Sequence, residues 1–206
     1  MSNNTTPAAS AARLVISGNM IRRTQGEGIL IQVGDSLTIT GNTASSCGGH
    51  AGIDLRGVSN SVISGNVCNS NAGAGIELEN QSGTFCLNNR VTGNTTRDDG
   101  TGIVVTTGAA QTQQHGIVEA GNSNVNLFLG NESDSNAIDQ LATVGAGSVS
   151  HYNILSGTID HIQDRPYGVM KVEVSGAVEP VLAHLQSLEL GVEVLGYVRS
   201  ALRTAL

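Results

Sequence analysis

The chain has 206 residues, of which 27 are glycine, 13% are charged and only 2% are aromatic. This length suits one sizeable domain, or a solenoid of about five or six coils. The formal net charge of −7 argues against binding to nucleic acid or to an anionic membrane, because both partners require basic surfaces.

Residues 1–12 are small and polar, and they predict a flexible lead without the apolar segment of a signal peptide. A motif of the form Ile/Val-Ser/Thr-Gly-Asn then recurs at intervals of 23, 24 and 28 residues. Its four copies end at Asn19, Asn42, Asn66 and Asn94. A strand-like motif close to Gly-Ile-x-Leu keeps the same period, beginning at Gly28, Gly52, Gly75 and Gly102. Strand-like units repeated at this period predict a solenoid, in which each coil packs against its neighbours.

The repeats continue beyond residue 100 after a larger insertion. The segment His115-Gly116-Ile117-Val118-Glu119 resumes the strand pattern, and a fifth Gly-Asn follows at 130–131. His115 and Glu119 are expected to face the insertion. A degenerate last coil ends near Asn153, residues 157–175 suggest one or two strands, and apolar residues at helical spacing follow from Val178. We expect residues 157–206 to form a cap or an oligomer contact.

The three cysteines, Cys47, Cys68 and Cys86, lack the spacing of a metal site. Cys68 lies two residues after a motif asparagine, where other coils carry Ile21, Ala44 and Thr96. An inward slot filled by small or apolar residues predicts that Cys68 is a core thiol rather than a catalytic one.

These repeats resemble the right-handed parallel β-helices of the pectate-lyase-like superfamily, which includes pectate lyases, polygalacturonases and phage tailspikes. The resemblance covers roughly residues 13–153 and rests on the Ser/Thr-Gly-Asn turn, the Gly-Ile-x-Leu strand and the segment 115–119. It implies an all-β fold, with a right-handed parallel β-helix at residues 13–156 and a small strand-helix cap at 157–206. The asparagine–aspartate, paired-aspartate and Gly-His-Gly motifs of the polygalacturonases have no clear match here, so the resemblance leaves the activity open.

The resemblance also bears on partners and location. It implies a polysaccharide or glycan as partner and an extracellular or phage-associated location. Separately, the open first coil would expose unpaired strand edges, which favours a homo-oligomer or a longer chain. Two functions remain open. One is a carbohydrate-active module, either a lyase or a glycoside hydrolase; the other is a non-catalytic structural or adhesive β-helix that assembles with other chains.

Parallel strands stack at about 4.8 Å, so equivalent positions in successive coils form ladders. One ladder should join the side-chain amides of the motif asparagines, and we expect it to stabilise the turns rather than to bind sugar. Its predicted members are Asn19, Asn42, Asn66, Asn94 and Asn131.

Two further ladders are predicted on the outward face of the Gly-Ile-x-Leu strands, because side chains alternate along a strand. The first ladder comprises Leu30, Asp54, Glu77 and Val104, and the second comprises Gln32, Arg56, Glu79 and Thr106. Asp54, Arg56, Glu77 and Glu79 should therefore form one compact cluster, which is the candidate catalytic site.

Stacked carboxylates repel, so at least one of them should bind a cation, bond to Arg56 or hold a raised pKa. Glycoside hydrolysis fits, with one carboxyl as acid and another as nucleophile or base. β-Elimination also fits, and there the resemblance gives Arg56 the role of base and Ca²⁺ the role of a bridge to a uronate. No cofactor is certain, Ca²⁺ is the candidate metal and its ligands are unknown. A salt-bridged surface without function fits the same residues.

Three residues outside this cluster are candidates for substrate binding. His50 precedes the Asp54 strand and could reach the cluster as a proton carrier. Asp98 and Asp99 stand where a loop enters the predicted Gly102 strand. An exposed loop histidine and a polar turn are the alternative interpretations.

Overall fold

The computed structural model describes residues 11–143, 145–156 and 158–159. Within them the chain winds into six coils, each contributing one strand to each of three parallel sheets, here named A, B and C. This arrangement confirms the predicted all-β parallel β-helix. The described residues contain no helix, and so none that is long and apolar enough to cross a membrane.

Strands are numbered along the chain. Sheet A contains β1 (Ala11–Ala12), β4 (Ile29–Asp35), β7 (Ala51–Ser59), β10 (Ala74–Glu79), β13 (His115–Glu119) and β16 (Asp139–Ala142). Sheet B contains β2 (Val15–Ser17), β5 (Thr38–Thr40), β8 (Val62–Ser64), β11 (Arg90–Thr92), β14 (Leu127–Leu129) and β17 (Val149–His151). Sheet C contains β3 (Met20–Arg22), β6 (Thr43–Ser45), β9 (Val67–Asn69), β12 (Thr95–Arg97), β15 (Glu132–Asp134), β18 (Ile154–Leu155) and β19 (Thr158–Ile159), of which β19 alone runs antiparallel to its neighbour.

The Gly-Asn motif forms the corner between sheets B and C. Its glycines adopt left-handed backbone angles, for example φ of +63° at Gly41 and +61° at Gly65, which glycine reaches without steric penalty. The asparagine that follows is buried and bonds to the next coil. Asn42 Nδ2 donates to Asn66 Oδ1 at 3.0 Å, and Asn66 Nδ2 donates to Asn94 Oδ1 at 2.9 Å. The predicted asparagine ladder is thereby confirmed.

This ladder runs from Asn19 through Asn131 and continues to Asn153, which accepts from Asn131 Nδ2 at 2.8 Å. Sequence reasoning missed two further polar ladders. At the corner between sheets A and B, Asn89 Nδ2 donates to Asn126 Oδ1 at 3.0 Å. At the corner between sheets C and A, Asn71 Nδ2 donates to Gln113 Oε1 at 3.1 Å.

Apolar columns fill the space between the sheets. One column joins Ile29, Ile53, Ile76 and Ile117 in register along sheet A. Cys68 stands in register with Ala44 and Thr96 in sheet C and is fully buried, as predicted for a core thiol. Burial raises the pKa of the Cys68 thiol. All three cysteines are free and buried.

The prediction that a strand of sheet A starts at Gly102 is wrong. The strand beside β10 is β13, so Glu77 is in register with Val118 and not with Val104. Residues 98–114 form an insertion that folds back on itself, with an isolated bridge between Ile103 and Ala110. Within the insertion, Val104 N donates to Ala109 O at 2.9 Å and Gln111 N donates to Gly102 O at 2.9 Å, so part of the Gly-Ile-Val-Val segment pairs locally and not with sheet A.

Glu119 also departs from expectation, because it lies inside the coil and not against the insertion. It occupies the column of Leu55 and Leu78 and is only 1% exposed. Its carboxylate accepts from Asn126 Nδ2 at 2.7 Å and from Gly145 N at 2.9 Å. A buried carboxylate is tolerated where hydrogen bonds satisfy it, and here it fastens the last coil.

The remaining boundary predictions fall largely outside the described residues. Of the predicted lead at residues 1–12, only Ala11–Ala12 is described, and it forms β1. Of the predicted cap at residues 157–206, only Thr158–Ile159 is described, as β19. The helix predicted from Val178 lies outside the described residues.

Candidate active site on sheet A

The four predicted catalytic residues lie together on two neighbouring strands of sheet A. Asp54 on β7 is in register with Glu77 on β10, and Arg56 is in register with Glu79. Asp54, Arg56, Glu77 and Glu79 are here called the acidic face. Their predicted proximity is confirmed, whereas their catalytic role stays a prediction.

Arg56 forms ion pairs with three carboxylates at once. Its Nη2 lies 2.6 Å from Asp54 Oδ2 and 3.1 Å from Glu27 Oε1, and its Nε lies 2.8 Å from Glu79 Oε1. The hydrogen bond to Asp54, followed by the charges of its partners, raises the pKa of the guanidinium above its ordinary value. Arg56 is therefore a fixed cation.

Glu27 is a member of this ion-pair network that sequence reasoning missed. It stands just before the Gly28 strand, outside the outward positions on which the prediction relied. The sequence did carry one signal for Glu27: a carboxylate that stands directly before the neighbouring strand.

Asp54 is the most deeply placed carboxyl of the acidic face. It is 0% exposed, and its Oδ1 has no hydrogen-bond partner among the described residues. Burial raises its pKa, and the hydrogen bonds from Arg56 act in the opposite direction. The side chain is thus inaccessible to solvent but retains an unused acceptor.

Glu77 differs from the other carboxyls because the basic side chain paired with it is His50 and not Arg56. Its Oε2 lies 3.9 Å from Nδ1 of His50, a residue whose side chain is 72% exposed. Burial, followed by the negative charges of Asp54 and Glu79, raises the pKa of Glu77 to about 7. With 15% of its side chain exposed, Glu77 can hold a proton near neutral pH and still meet a ligand.

Two insertions border the acidic face. At the N-terminal ends of β7 and β10 the 98–114 insertion is anchored by Gln111, whose Nε2 donates to Cys47 O at 2.9 Å and to Ser70 O at 3.1 Å. At the C-terminal end, the Gln81–Thr84 turn packs so closely that a Cβ on Gly57 would lie 2.1 Å from Thr84 Oγ1. The acidic face therefore lies between the 98–114 insertion and the Gln81–Thr84 turn.

Asp98 and Asp99 hold the insertion together. The Ser70 hydroxyl donates to Asp98 Oδ1 at 2.8 Å and to Asp99 Oδ1 at 2.6 Å, and Gln113 N donates to Asp98 Oδ2 at 2.9 Å. Hydrogen bonds from Ser70 and Thr101 lower the pKa of Asp99 to about 2. The structure shows both carboxylates in contact with the insertion and its anchor, and substrate binding by them stays a prediction.

A second titratable pair lies further along sheet A. His115 Nδ1 is 3.4 Å from Asp139 Oδ2, and the two residues are register partners on β13 and β16. Sequence reasoning had found no partner for His115, because Asp139 follows it by more than twenty residues. Among the described residues no group of three or more His, Cys, Asp or Glu side chains could hold a metal ion.

A solved phage structure shares this architecture. The chain is similar to the crystal structure of tailspike protein 3 of bacteriophage CBA120, with a TM-score of 0.58 and 26% identity. The match covers 73% of this chain and 24% of the tailspike chain, so it spans about a quarter of that protein.

A second similarity overlaps the last coils. The NIL domain model matches residues 127–194. The Methionine import ATP-binding protein MetN 2 of Rhodopseudomonas palustris is 55% identical over 53 residues, which is 24% of this chain and 14% of the relative. MetN of Rhodospirillum rubrum is 50% identical over 50 residues, which is 23% of this chain and 14% of the relative. The chain thus spans about one seventh of these relatives.

The model of the right handed beta helix region matches residues 2–159, well over half of the chain. The match includes the three parallel sheets and the acidic face. The chain belongs to the right-handed β-helix family.

Proposed function

We propose that this β-helix binds a polysaccharide across sheet A and hydrolyses it at the acidic face, with Glu77 as general acid. The observation that carries the proposal is the environment of Glu77: a partly exposed carboxyl outside the ion pairs of Arg56, with a pKa raised to about 7. A general acid works best when its pKa lies near the working pH, because it is then protonated and still able to release its proton.

Hydrolysis is preferred to elimination because of Arg56. A base that removes a sugar proton must first lose its own, and three carboxylates hold this guanidinium in its charged form. The base role that the family resemblance implies for Arg56 is therefore disfavoured. Arg56 instead positions Asp54 and Glu79.

Glu79 is the proposed partner of Glu77, acting as the base that activates water. It lies two residues along the same strand, and its side chain is 28% exposed, whereas Asp54 is 0% exposed. Residues i and i+2 point to the same face with Cα atoms about 6.6 Å apart, and we assign a similar or larger spacing to their carboxyl groups. Carboxyl groups roughly 6.5–9.5 Å apart leave room for a water molecule and favour inversion at the anomeric carbon.

The test is release of reducing ends from a panel of neutral and charged glycans. Glu77→Gln should abolish release, and Glu79→Gln should reduce it by a similar factor. Glu132→Gln is the matched control, since Glu132 is an exposed glutamate on β15 in sheet C. Retention of activity in Glu77→Gln would overturn the assignment, as would an Arg56-dependent rise in absorbance at about 235 nm, the signal of the unsaturated product of elimination.

Assembly with other chains is a second candidate function. It is supported by the tailspike similarity and by exposed apolar side chains on the first coil, where Val15 is 63% and Met20 is 74% exposed. If this function holds, Val15→Glu combined with Met20→Glu lowers the molar mass in solution measured by light scattering. An unchanged monomer mass in both proteins contradicts it.

The NIL similarity supports a third candidate, binding of methionine by residues 127–194. The relatives are named for methionine import and ATP binding, but the only lysine here is Lys171, followed by Val172. The Gly-Lys-Ser/Thr of a phosphate-binding loop is thus not in this sequence, and the proposal concerns methionine alone. Titration calorimetry with L-methionine, and with norleucine as the isosteric control, tests it; absence of binding heat for methionine refutes it.

A further inference from the structure

The acidic face and Glu27 carry more negative charge than Arg56 can offset. Three carboxylates, those of Glu27, Asp54 and Glu79, share a single guanidinium. Two negative charges therefore remain uncompensated before Glu77 is counted. A ligand that covers this face displaces water and strengthens the remaining repulsion, because the local dielectric constant falls.

An acceptor within the face is also unused. Asp54 Oδ1 is buried and has no hydrogen-bond partner in the described part of the chain. A buried acceptor without a donor is costly, so a donor placed there by a ligand is favourable. Leu30, the register neighbour of Asp54 on β4, is 42% exposed and borders the same part of the face.

More acidic surface lies beyond the face on the same sheet. Asp139, with a side chain that is 50% exposed, is two strands away from β10. Asp139 is the register partner of His115, whereas the row of Asp54 and Glu77 continues with Val118 and Ala142. Asp139 therefore adds acidic surface beside that row and not within it.

We propose that the polysaccharide recognised at the acidic face is built from amino sugars with free ammonium groups, and not from uronic acids. This inference rests on the proposed function and adds its substrate class. An ammonium group brings three donors and a positive charge, so it offsets the surplus carboxylates and bonds to them with charge-assisted hydrogen bonds. A uronate brings one more negative charge per sugar and is repelled.

The test compares three oligosaccharides of equal length: one of glucosamine, one of N-acetylglucosamine and one of galacturonate. The first two differ only in N-acetylation, which replaces the charged ammonium group with a neutral acetamide. Binding to the full chain is measured by titration calorimetry at low and high salt, at a pH where the amine is protonated. We expect the glucosamine oligomer to bind at least about tenfold more tightly than its acetylated counterpart, with an advantage that shrinks as salt screens the charges.

Glu79→Gln should reduce the advantage of the glucosamine oligomer over the acetylated oligomer about threefold to tenfold, while Glu132→Gln should leave both affinities unchanged. Equal affinities for the two glucosamine-based oligomers, or tighter binding of galacturonate, would overturn the substrate class and leave the proposed hydrolase function standing. No binding and no cleavage of any glycan in the wider panel would overturn both. Circular dichroism of each variant confirms that it is folded before affinities are compared.

Discussion

Asp54 and Glu77 are register partners on adjacent strands, yet Arg56 forms its ion pair with Asp54, while Glu77 lies 3.9 Å from His50. Asp54 is thereby buried against the fixed positive charge of Arg56. Burial raises the pKa of both carboxyls, and it raises that of the partly exposed Glu77 to about 7. A partly exposed carboxyl with a pKa near neutral is suited to acid–base chemistry.

The first prediction concerns pH. Because the pKa of Glu77 is raised from 4.5 to about 7, the folded protein binds its proton more tightly than the unfolded chain does. The contribution of Glu77 is then fully present below about pH 4.5 and is lost as the pH rises through about 7. We expect a loss of roughly 1–3 kcal/mol in the free energy of unfolding.

Urea unfolding across this pH range measures the effect. Glu77→Gln, which cannot ionise, should flatten the pH dependence between these limits. Glu132→Gln is again the control and should keep it. A slope that is identical in wild type and Glu77→Gln would show that Glu77 titrates normally.

Removing Arg56 should destabilise the fold. Arg56→Met leaves Asp54, Glu27 and Glu79 without their shared cation, and loss of one partner of a largely buried ion pair costs about 3–5 kcal/mol. Since 20% of the Arg56 side chain is exposed, we expect about 2–4 kcal/mol. A second change, Asp54→Asn, should recover part of the loss, and unfolding midpoints of the four proteins of this cycle provide the coupling. If the two substitutions change the free energy of unfolding additively, Arg56 and Asp54 do not interact directly.

The asparagine ladder should be sensitive at its centre. The Asn66 side chain donates to Asn94 Oδ1 and Ile39 O, and its Oδ1 accepts from the backbone N and the Nδ2 of Asn42. Asn66→Ala leaves several of these buried groups without partners, so we expect a loss of about 2–4 kcal/mol. Asn88→Ala removes an exposed asparagine and should cost under about 1 kcal/mol, as judged by thermal unfolding. Equal losses would refute a special role for the ladder.

Two glycines with similar backbone angles separate strain from packing. Gly57 has φ of +66° and Gly65 has φ of +61°. A Cβ on Gly57 would lie 2.1 Å from Thr84 Oγ1, whereas nothing lies within 4 Å of one on Gly65. Gly65→Ala should cost about 1–2 kcal/mol from backbone strain, and Gly57→Ala about 1–3 kcal/mol more. Chemical denaturation of both variants decides, and equal costs would mean that the Gln81–Thr84 turn moves freely.

The cysteines should be chemically silent in the folded protein. Cys68 is fully buried, and burial raises the pKa of its thiol and that of Cys86, the latter to about 11. Because the thiolate is the reactive form, both should react with a thiol reagent only after unfolding. The time course of labelling in buffer and in denaturant is the measurement. Rapid labelling of native protein would show that the coils open locally.

The sequence by itself determined the repeat, the asparagine ladder and the proximity of the acidic residues. These features follow from local rules, since a Gly-Asn turn and an alternating strand place each side chain relative to its own coil. Once coils stack in parallel, equal positions must become neighbours, as Asp54 and Glu77 do. The inward slot of Cys68 follows from the same rule.

Only the tertiary structure decided which segment continues sheet A after β10, and which groups Arg56 binds. Two segments carry a similar Gly-Ile pattern; the one at 115–119 pairs with β10, and Gln113 just before it joins the ladder of Asn71. The ion pair with Glu27 likewise joins residues 29 positions apart in the chain. Local pattern does not encode such contacts, because they depend on where a long insertion lets the chain return to the stack.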